Sequence, residues 1–580
     1  MTQSLRSFLP TSKKEVERLG WDYIDIILFT GDAYIDHPSF GTSVIGRYLE
    51  SLGYRVAIVP QPNWRDDLRD FKKLGKPRLF FGVNSGVMDS MVNHYTAAKR
   101  LRSNDAYTPE GRAGQRPDYA VSVYSKILKA LYPDVPVIIG GIEASQRRLA
   151  HYDYWQDKLL PSVLIDSGAD LLVYGMGERA VRDIALILEG GGTVKDLRQV
   201  PQTAYLSENI ESENVNKIIL NSFEDSQKDK TAFLNNFKII ERESNSYHPA
   251  HLVEPYNEIN VHVNPPYEVP EDGGIDACYD LPYTRKPHFR YGDKHIPAYE
   301  MIKFSVTTHR GCFGGCAFCT ISAHQGKFVH SRSLRSITEE IEKIVCEEEF
   351  KGYLSDLGGP TANMYMMKGI NLNICRKCKR ESCIFPSICK NLDHSHKQLL
   401  ELYNAVSKIK GVKKSFVASG IRYDLFLNEK GYFDKYGKEY LKELVLNHTS
   451  GRLKVAPEHT EDKVLKAMGK PSFNLFLFLR EEFEKINREV GKRYQLVPYF
   501  ISSHPGCTLE DMKRLSLNPV IKEMSLEQVQ DFTPTPMTRS SAAYYTGTDP
   551  ISMKRIFVEK LPGNKKKQKS YFFNNFNKKR

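Results

Sequence analysis

No run of about 18 consecutive apolar residues occurs in the 580-residue chain, so a membrane-spanning helix is not expected. The segment from Met1 to Gly20 has charges where a signal peptide needs an apolar core, and the expected location is cytoplasmic. Charge imbalance is also scarce in the body of the chain. Of the net +12, residues 551–580 contribute ten Lys or Arg against one Glu, which leaves the first 550 residues at 72 basic against 69 acidic, or +3. A nucleic-acid surface is therefore not indicated for the folded body. No cysteine precedes Cys278, although the chain has 10. None of the glycine turns that follow the N-terminal strand candidates reads Gly-x-Gly-x-x-Gly, so a nicotinamide or flavin dinucleotide is not expected.

What is present is a succession of short apolar strands separated by helical stretches. Ile24 to Phe29, Val56 to Val59, Leu79 to Val83, Val135 to Ile139 and Asp170 to Val173 read as strands of a parallel, doubly wound α/β sheet. The turns at Gly31, Gly140-Gly141 and Gly175-Met176-Gly177-Glu178 follow three of them and are expected to line one ligand crevice. A second alternation begins at Lys303, with six strand candidates ending at Phe532, and predicts a (β/α) barrel, complete or partial. Four parts are expected. Residues 1–200 form the doubly wound domain, 201–297 a helical connection and extended linker, and 298–545 the barrel with a Cys-rich insertion near 366–396. Residues 546–580 form a basic tail that reads as disordered.

The cysteines are clustered. Cys312, Cys316 and Cys319 follow the first barrel strand at the spacing C-x3-C-x2-C, and Gly311, Gly314 and Gly315 allow the tight loop that brings three thiolates together. Three thiolates leave one iron of a [4Fe–4S] cluster open to an outside ligand. In a reducing compartment such clustering points to metal or cluster ligation rather than disulfides. Cys375, Cys378, Cys383 and Cys389 form a second group within the insertion. Four thiolates satisfy tetrahedral zinc or an auxiliary iron–sulfur cluster equally well. His394 and His396 lie close by and read as exposed loop residues.

The three-Cys spacing, with Phe318 before the third Cys, resembles the radical S-adenosylmethionine (SAM) superfamily. Runs such as Thr30 to Gly41, Gly140 to Ser145, Ser355 to Tyr365 and Asp531 to Pro536 resemble its YgiQ family over nearly the whole chain. The resemblance implies a [4Fe–4S] cluster on Cys312, Cys316 and Cys319 and reductive cleavage of SAM to a 5′-deoxyadenosyl radical that abstracts hydrogen from a substrate. It also implies an external electron donor such as flavodoxin or ferredoxin. The substrate remains unassigned. By the same resemblance Gly358, Gly359 and Pro360 receive the methionine ammonium group, and Ser419, Arg422 and Asp424 hold carboxylate and ribose, with Phe318 at the cofactor. The competing class is a metal-bearing binding or scaffold protein without turnover.

A doubly wound domain before such a barrel also resembles the cobalamin-binding arrangement of many methyltransferases. The axial-ligand motif Asp-x-His-x-x-Gly is broken here, since Asp36 and His37 are adjacent, and His37 reads as a loop residue. Cobalamin-dependent methyl transfer therefore stands as the alternative reading, beside a crevice kept for substrate or partner.

Overall fold

The computed structural model describes residues 8–210, 216–268, 274–524, 526 and 528–573. Its N-terminal half is a nine-stranded sheet. Strands β1 (Ile26–Thr30), β2 (Val56–Pro60), β3 (Phe80–Asn84), β4 (Val137–Ile139) and β5 (Leu171–Val173) are parallel and run in the spatial order β2-β1-β3-β4-β5. Their runs, among them Ile-Ile-Leu-Phe-Thr and Val-Ala-Ile-Val-Pro, are buried along their whole length, as strands covered by helices on both faces must be. Helices α1 (Gly41–Ser51), α2 (Ala120–Leu131) and α3 (Glu178–Glu189) provide the cover. In this order the sheet reverses direction between β1 and β3, which is where ligand crevices open in doubly wound folds.

The sheet does not stop at residue 200. Strands β6 (Thr203–Ser207), β7 (Lys217–Ile219), β8 (His251–Tyr256) and β9 (Ile259–Val263) extend it as β5-β6-β9-β8-β7. Leu172 pairs with Ala204 antiparallel, and Val261 pairs with Leu206. The expected helical connection thus supplies four strands, and its one long helix, Lys230–Ser244, packs beside them. The polar composition misled because the strands near the sheet's edge carry polar residues, with Lys217, Ile218 and Ile219 none of them fully buried. Residues 211–215 and 269–273 of that stretch lie outside the described residues. The segment from Tyr279 to Ile302 does wrap the first domain. Thr284 N–H donates to Asp36 Oδ2 at 2.9 Å, and His288 N–H donates to Tyr34 O at 3.0 Å.

The second half is an open parallel barrel. Strands β10 (Ser305–Thr307), β11 (Tyr353–Leu354), β12 (Asp356–Gly358), β13 (Lys414–Ser415), β14 (Arg452–Glu458), β15 (Gln495–Ser502) and β16 (Gln528–Asp531) pair in parallel. β11 and β12 are the two halves of one interrupted strand, and a single parallel bridge, Ile421 to Val455, joins the third strand's extension to β14. Val306, Leu357, Val455 and Phe500 share one buried core with the helices that cover the strands, among them Ile341, Leu402 and Leu479.

The basic tail is a helix, α4 (Pro562–Phe573), docked on the barrel. Gln568 is fully buried and accepts the Ser503 N–H at 2.8 Å, and Phe572 stacks on Phe500 with ring centres 6.3 Å apart. Lys565 Nζ donates to Tyr544 OH at 2.7 Å and to Tyr154 OH at 3.2 Å. The expectation of disorder fails because the buried face is built from a Gln, a Lys and one terminal aromatic, which leave no apolar period to read. Residues 574–580 lie outside the described residues.

Candidate functional site

At the end of β10, Thr308 N–H donates to Gly358 O at 2.7 Å, so the three-Cys loop starts flush with the glycine turn after β12. Gly311 has φ +85°, and a Cβ there would stand 2.1 Å from Phe328 O, so only glycine turns the chain at this point. The three thiols lie within electrostatic reach of one another. Cys316 Sγ accepts from Arg422 Nη1 at 2.9 Å, while Cys312 Sγ accepts the Gly314 N–H and touches Thr361 Oγ1, both at 3.4 Å. Burial, then the neighbouring Cys316 and Cys312, push the Cys319 thiol up to about 12. Each of these donors favours the thiolate, so the set suits a metal that removes the protons and brings positive charge. Among the described residues no three His, Cys, Asp or Glu side chains are closed to the geometry of a bound metal; the thiols form a converged but open set.

The other expected cofactor residues divide. Gly358, Gly359 and Pro360 line a cavity of about 600 Å³. Gly359 has no room for a side chain, since a Cβ would stand 2.4 Å from the His309 ring. Ser419 Oγ donates to Asp356 Oδ2 at 2.8 Å, and Asp356, which lines the cavity, also accepts the Ala418 N–H at 2.9 Å. Arg422 and Asp424 do not line this cavity and pair with each other. Arg422 Nε and Nη2 bond Asp424 at 2.8 and 2.5 Å in a bidentate pair, and its third nitrogen is on Cys316. Burial would raise the Asp424 carboxyl, but the guanidinium holds it below the usual carboxylate range. Phe318 packs toward Ile501 and His504, its ring 6.1 Å from the imidazole, and does not line the cavity.

The cavity lies between the two halves of the molecule. Gly41, Thr42, Asn84, Gly140, Gly141 and Gly177 wall it on the side of the sheet, and Thr307, His309, Asp356 and Ala418 on the side of the barrel. Two of the three glycine turns expected in the crevice are there. Gly31 is not, because a Cβ at that position would stand 2.2 Å from Ser85 O; it serves close packing beside the buried pair of Arg116 with Asp32, 2.9 Å apart. His37 is fully buried with Nδ1 accepting the Ser39 N–H at 3.1 Å; it does not itself line the cavity, although Pro38 and Ser39 do.

Two residues on the cavity wall, Arg310 and His309, escaped the reading of the sequence. Arg310, two positions before Cys312, pairs with Glu178 at 2.5 Å and donates to Tyr279 OH at 2.9 Å, tying the cluster loop to the first turn of α3. Gly175 and Gly177 are followed by Ala180, fully buried where a third glycine of a dinucleotide turn would pack, a variant that a strict glycine search passes over. His309 Nδ1 bonds Thr308 Oγ1 at 2.8 Å, Nε2 has no protein partner, and burial pulls its pKa down to about 4, so it is neutral. Its position directly after a barrel strand was the available signal.

Cys375, Cys378, Cys383 and Cys389 come together on the outer side of the three-Cys loop, with Cys383 and Cys389 packed against the cluster of Phe313 and Ile384. His394 Nδ1 bonds Leu425 O at 2.7 Å, and His396, fully buried rather than exposed, bonds Asn363 at 3.0 Å; neither joins the thiols.

The sequence profile of the family Radical SAM N-terminal matches residues 8–305. A UPF0313 protein of Bacteroides thetaiotaomicron is 56% identical over 98% of this chain and 94% of its own length, and one of Porphyromonas gingivalis is 54% identical over 98% and 90%. The chain belongs to the UPF0313, or YgiQ, family of radical SAM proteins. Among solved structures it is similar to the radical S-adenosylmethionine methyltransferase TsrM from Kitasatospora setae. With tryptophan substrate and a SAM analogue bound, TsrM matches at TM-score 0.46 and 14% identity, over 87% of this chain and 72% of that one. With cobalamin and a [4Fe-4S] cluster bound it matches at TM-score 0.47 and 14%, over 89% and 74%. At that identity no residue role carries over. Among the described residues of this UPF0313 member no helix is long and apolar enough to cross a membrane.

Proposed function

We propose that this protein is a radical SAM enzyme in which Cys312, Cys316 and Cys319 hold a [4Fe–4S] cluster and the cavity between sheet and barrel receives SAM and substrate. The observation that carries the reading is the proximity of three half-buried thiols on one glycine loop, with a guanidinium on Cys316 and Thr361 on Cys312, next to the Gly358–Pro360 turn that lines the cavity. When bound, the cluster supplies one electron that cleaves the sulfonium of SAM and gives a carbon radical able to abstract hydrogen. The chain's own residues orient and seclude. Arg422 offsets thiolate charge, the Gly358 and Gly359 backbone gives close access, Asp356, held by the Ser419 hydroxyl, presents a carboxylate at the cavity wall, and neutral His309 offers one free nitrogen. A one-electron donor such as flavodoxin or ferredoxin is required by this reading.

Anaerobic reconstitution followed by dithionite tests it. About four irons and formation of 5′-deoxyadenosine support the reading. Absence of 5′-deoxyadenosine under every reductant, with cell extract present as a source of substrate, favours a binding protein without turnover. Methyl transfer through a bound corrinoid is a second reading, favoured by the backbone wall of Gly140, Gly141 and Gly177 at the sheet's edge, which leaves the cavity open to a large ligand. His37 does not face the cavity, so such a ligand would bind without it. Stoichiometric uptake of cobalamin by the reconstituted protein would move methyl transfer to first place.

A further inference from the structure

The segment between Lys368 and Leu392 carries four cysteines, and its buried apolar side chains are only Ile384 and Leu392, which pack against Phe313, Met364 and Met367. Its one helical turn, Leu372–Arg376, has no buried residue, and Ile370 and Ile374 are 70% and 54% exposed. Its strand pairing among the described residues is the two-residue contact of Lys368–Gly369 with Leu392–Asp393 at the base. Fixing a backbone costs about 1–2 kcal/mol per residue, and a stretch with so little apolar burial does not offset that cost without a staple.

The four thiols lie within electrostatic reach of one another, without being closed to the geometry of a bound metal. Asn391 Nδ2 donates to Cys375 Sγ at 3.2 Å, the Arg380 N–H to Cys378 Sγ at 3.4 Å, and the Cys389 N–H to Cys383 O at 2.7 Å. Gly369 makes room for Cys375, since a Cβ there would stand 2.2 Å from Sγ. Cys383 lies within electrostatic reach of the other three, and the buried ammonium of Lys327, which donates to Arg380 O, lies within reach of Cys375 and Cys383. No residue of 366–396 lines the cavity between the halves or the neighbouring one beside Tyr174 and Tyr247.

What the segment does touch is the three-Cys loop. Ser382 Oγ donates to Gly314 O at 2.8 Å, the Cys383 N–H donates to Phe313 O at 3.1 Å, and Glu381 pairs with Arg539 at 2.7 Å. A Cβ on Gly315 would stand 2.6 Å from Ser382 Cβ, so the two loops are in direct contact.

We propose that Cys375, Cys378, Cys383 and Cys389 bind one zinc ion in a closed four-thiolate site, and that this zinc fixes the segment that clamps the Cys312–Cys319 loop through Ser382. Structural zinc sites are saturated by protein ligands and face no cavity, as here. A centre that ligates substrate belongs on a substrate cavity, and this segment lines neither of the two beside the barrel mouth. The zinc site stands on its own residues; only the clamp rests on the function proposed for the first loop.

Metal analysis of full-length protein with Cys312, Cys316 and Cys319 all changed to Ala separates the two sites. One equivalent of zinc and no iron is expected; about four irons, or neither metal, would overturn the assignment. Because Cys378→Ser can unfold the segment, titration of the wild-type protein with a mercurial in the presence of a zinc dye is the second measurement. One zinc released as four thiols react is expected, and no release counts against the site. Ser382→Ala should keep the zinc yet lose cluster iron to a chelator at least fivefold faster, and an unchanged rate removes the clamp. If the wild-type protein forms no 5′-deoxyadenosine while the triple variant still holds zinc, the proposed function fails and the zinc site stands.

Discussion

Arg422 shows how a motif residue takes its meaning from its partners. Its sequence position promised a ligand for carboxylate, and the fold commits it to Asp424 and Cys316 instead. Removing it leaves a fully buried carboxylate and a thiol without their countercharge. Arg422→Ala should therefore destabilise the barrel by about 3–5 kcal/mol, read from urea unfolding of the metal-free protein, and should lower cluster occupancy. A variant of unchanged stability would mean that the pair is not formed. Cys316→Ala should abolish 5′-deoxyadenosine formation and most absorbance of the first cluster, whereas Cys346→Ala, on an exposed thiol, should change neither. Gly359→Ala pushes a methyl group into His309 and should cost about 1–3 kcal/mol with weakened SAM binding by calorimetry.

Helix α4 was legible as a basic stretch but not as an element. Its docking rests on Phe572 and on two polar side chains whose partners, Tyr544, Ser503 and Tyr154, lie 21, 65 and 411 residues away along the chain. Phe572→Ala should cost about 3 kcal/mol, and a disordered tail would cost nothing. Lys565 adds a pH dependence. Burial lowers its folded-state pKa to about 8 from an ordinary value near 10.5, so between those values the unfolded chain binds more protons. Stability should rise from about pH 8 to pH 10.5 and lose that gain as pH falls through 8. Comparing urea midpoints of wild type and Lys565→Met across this range checks it, since the difference should shrink toward high pH. The strands β6 to β9 teach the same lesson from the other side, because their polar residues concealed a sheet whose order only pairing with β5 reveals.

The whole molecule places a sheet edge against a barrel mouth, and the cavity between them is where the cluster loop, the glycine turns and the Arg310–Glu178 pair meet. Gly41 lines that space, with nothing within 4 Å of its Cβ position and no unusual φ. Gly41→Trp should leave iron content and thermal midpoint unchanged while reducing substrate turnover at least tenfold, with 5′-deoxyadenosine still formed. Full turnover in that variant would place the substrate elsewhere.

The sequence by itself determined the class of the protein. The C-x3-C-x2-C loop, the strands Ile-Ile-Leu-Phe-Thr and Val-Ala-Ile-Val-Pro, and the Gly358-Gly359 turn are set by spacing and apolar runs within a few residues, and such local geometry survives into the fold. Tertiary structure alone decided that Arg422 is spent on Asp424, that Gly31 serves packing, that residues 203–263 extend the sheet and that α4 is docked. The Arg422–Asp424 pair is local, two residues apart, and only the approach of Cys316 from 106 residues away completes it. The other three depend on which groups meet across tens of residues or more, where burial and pairing between distant segments, and no local periodicity, set the free energy.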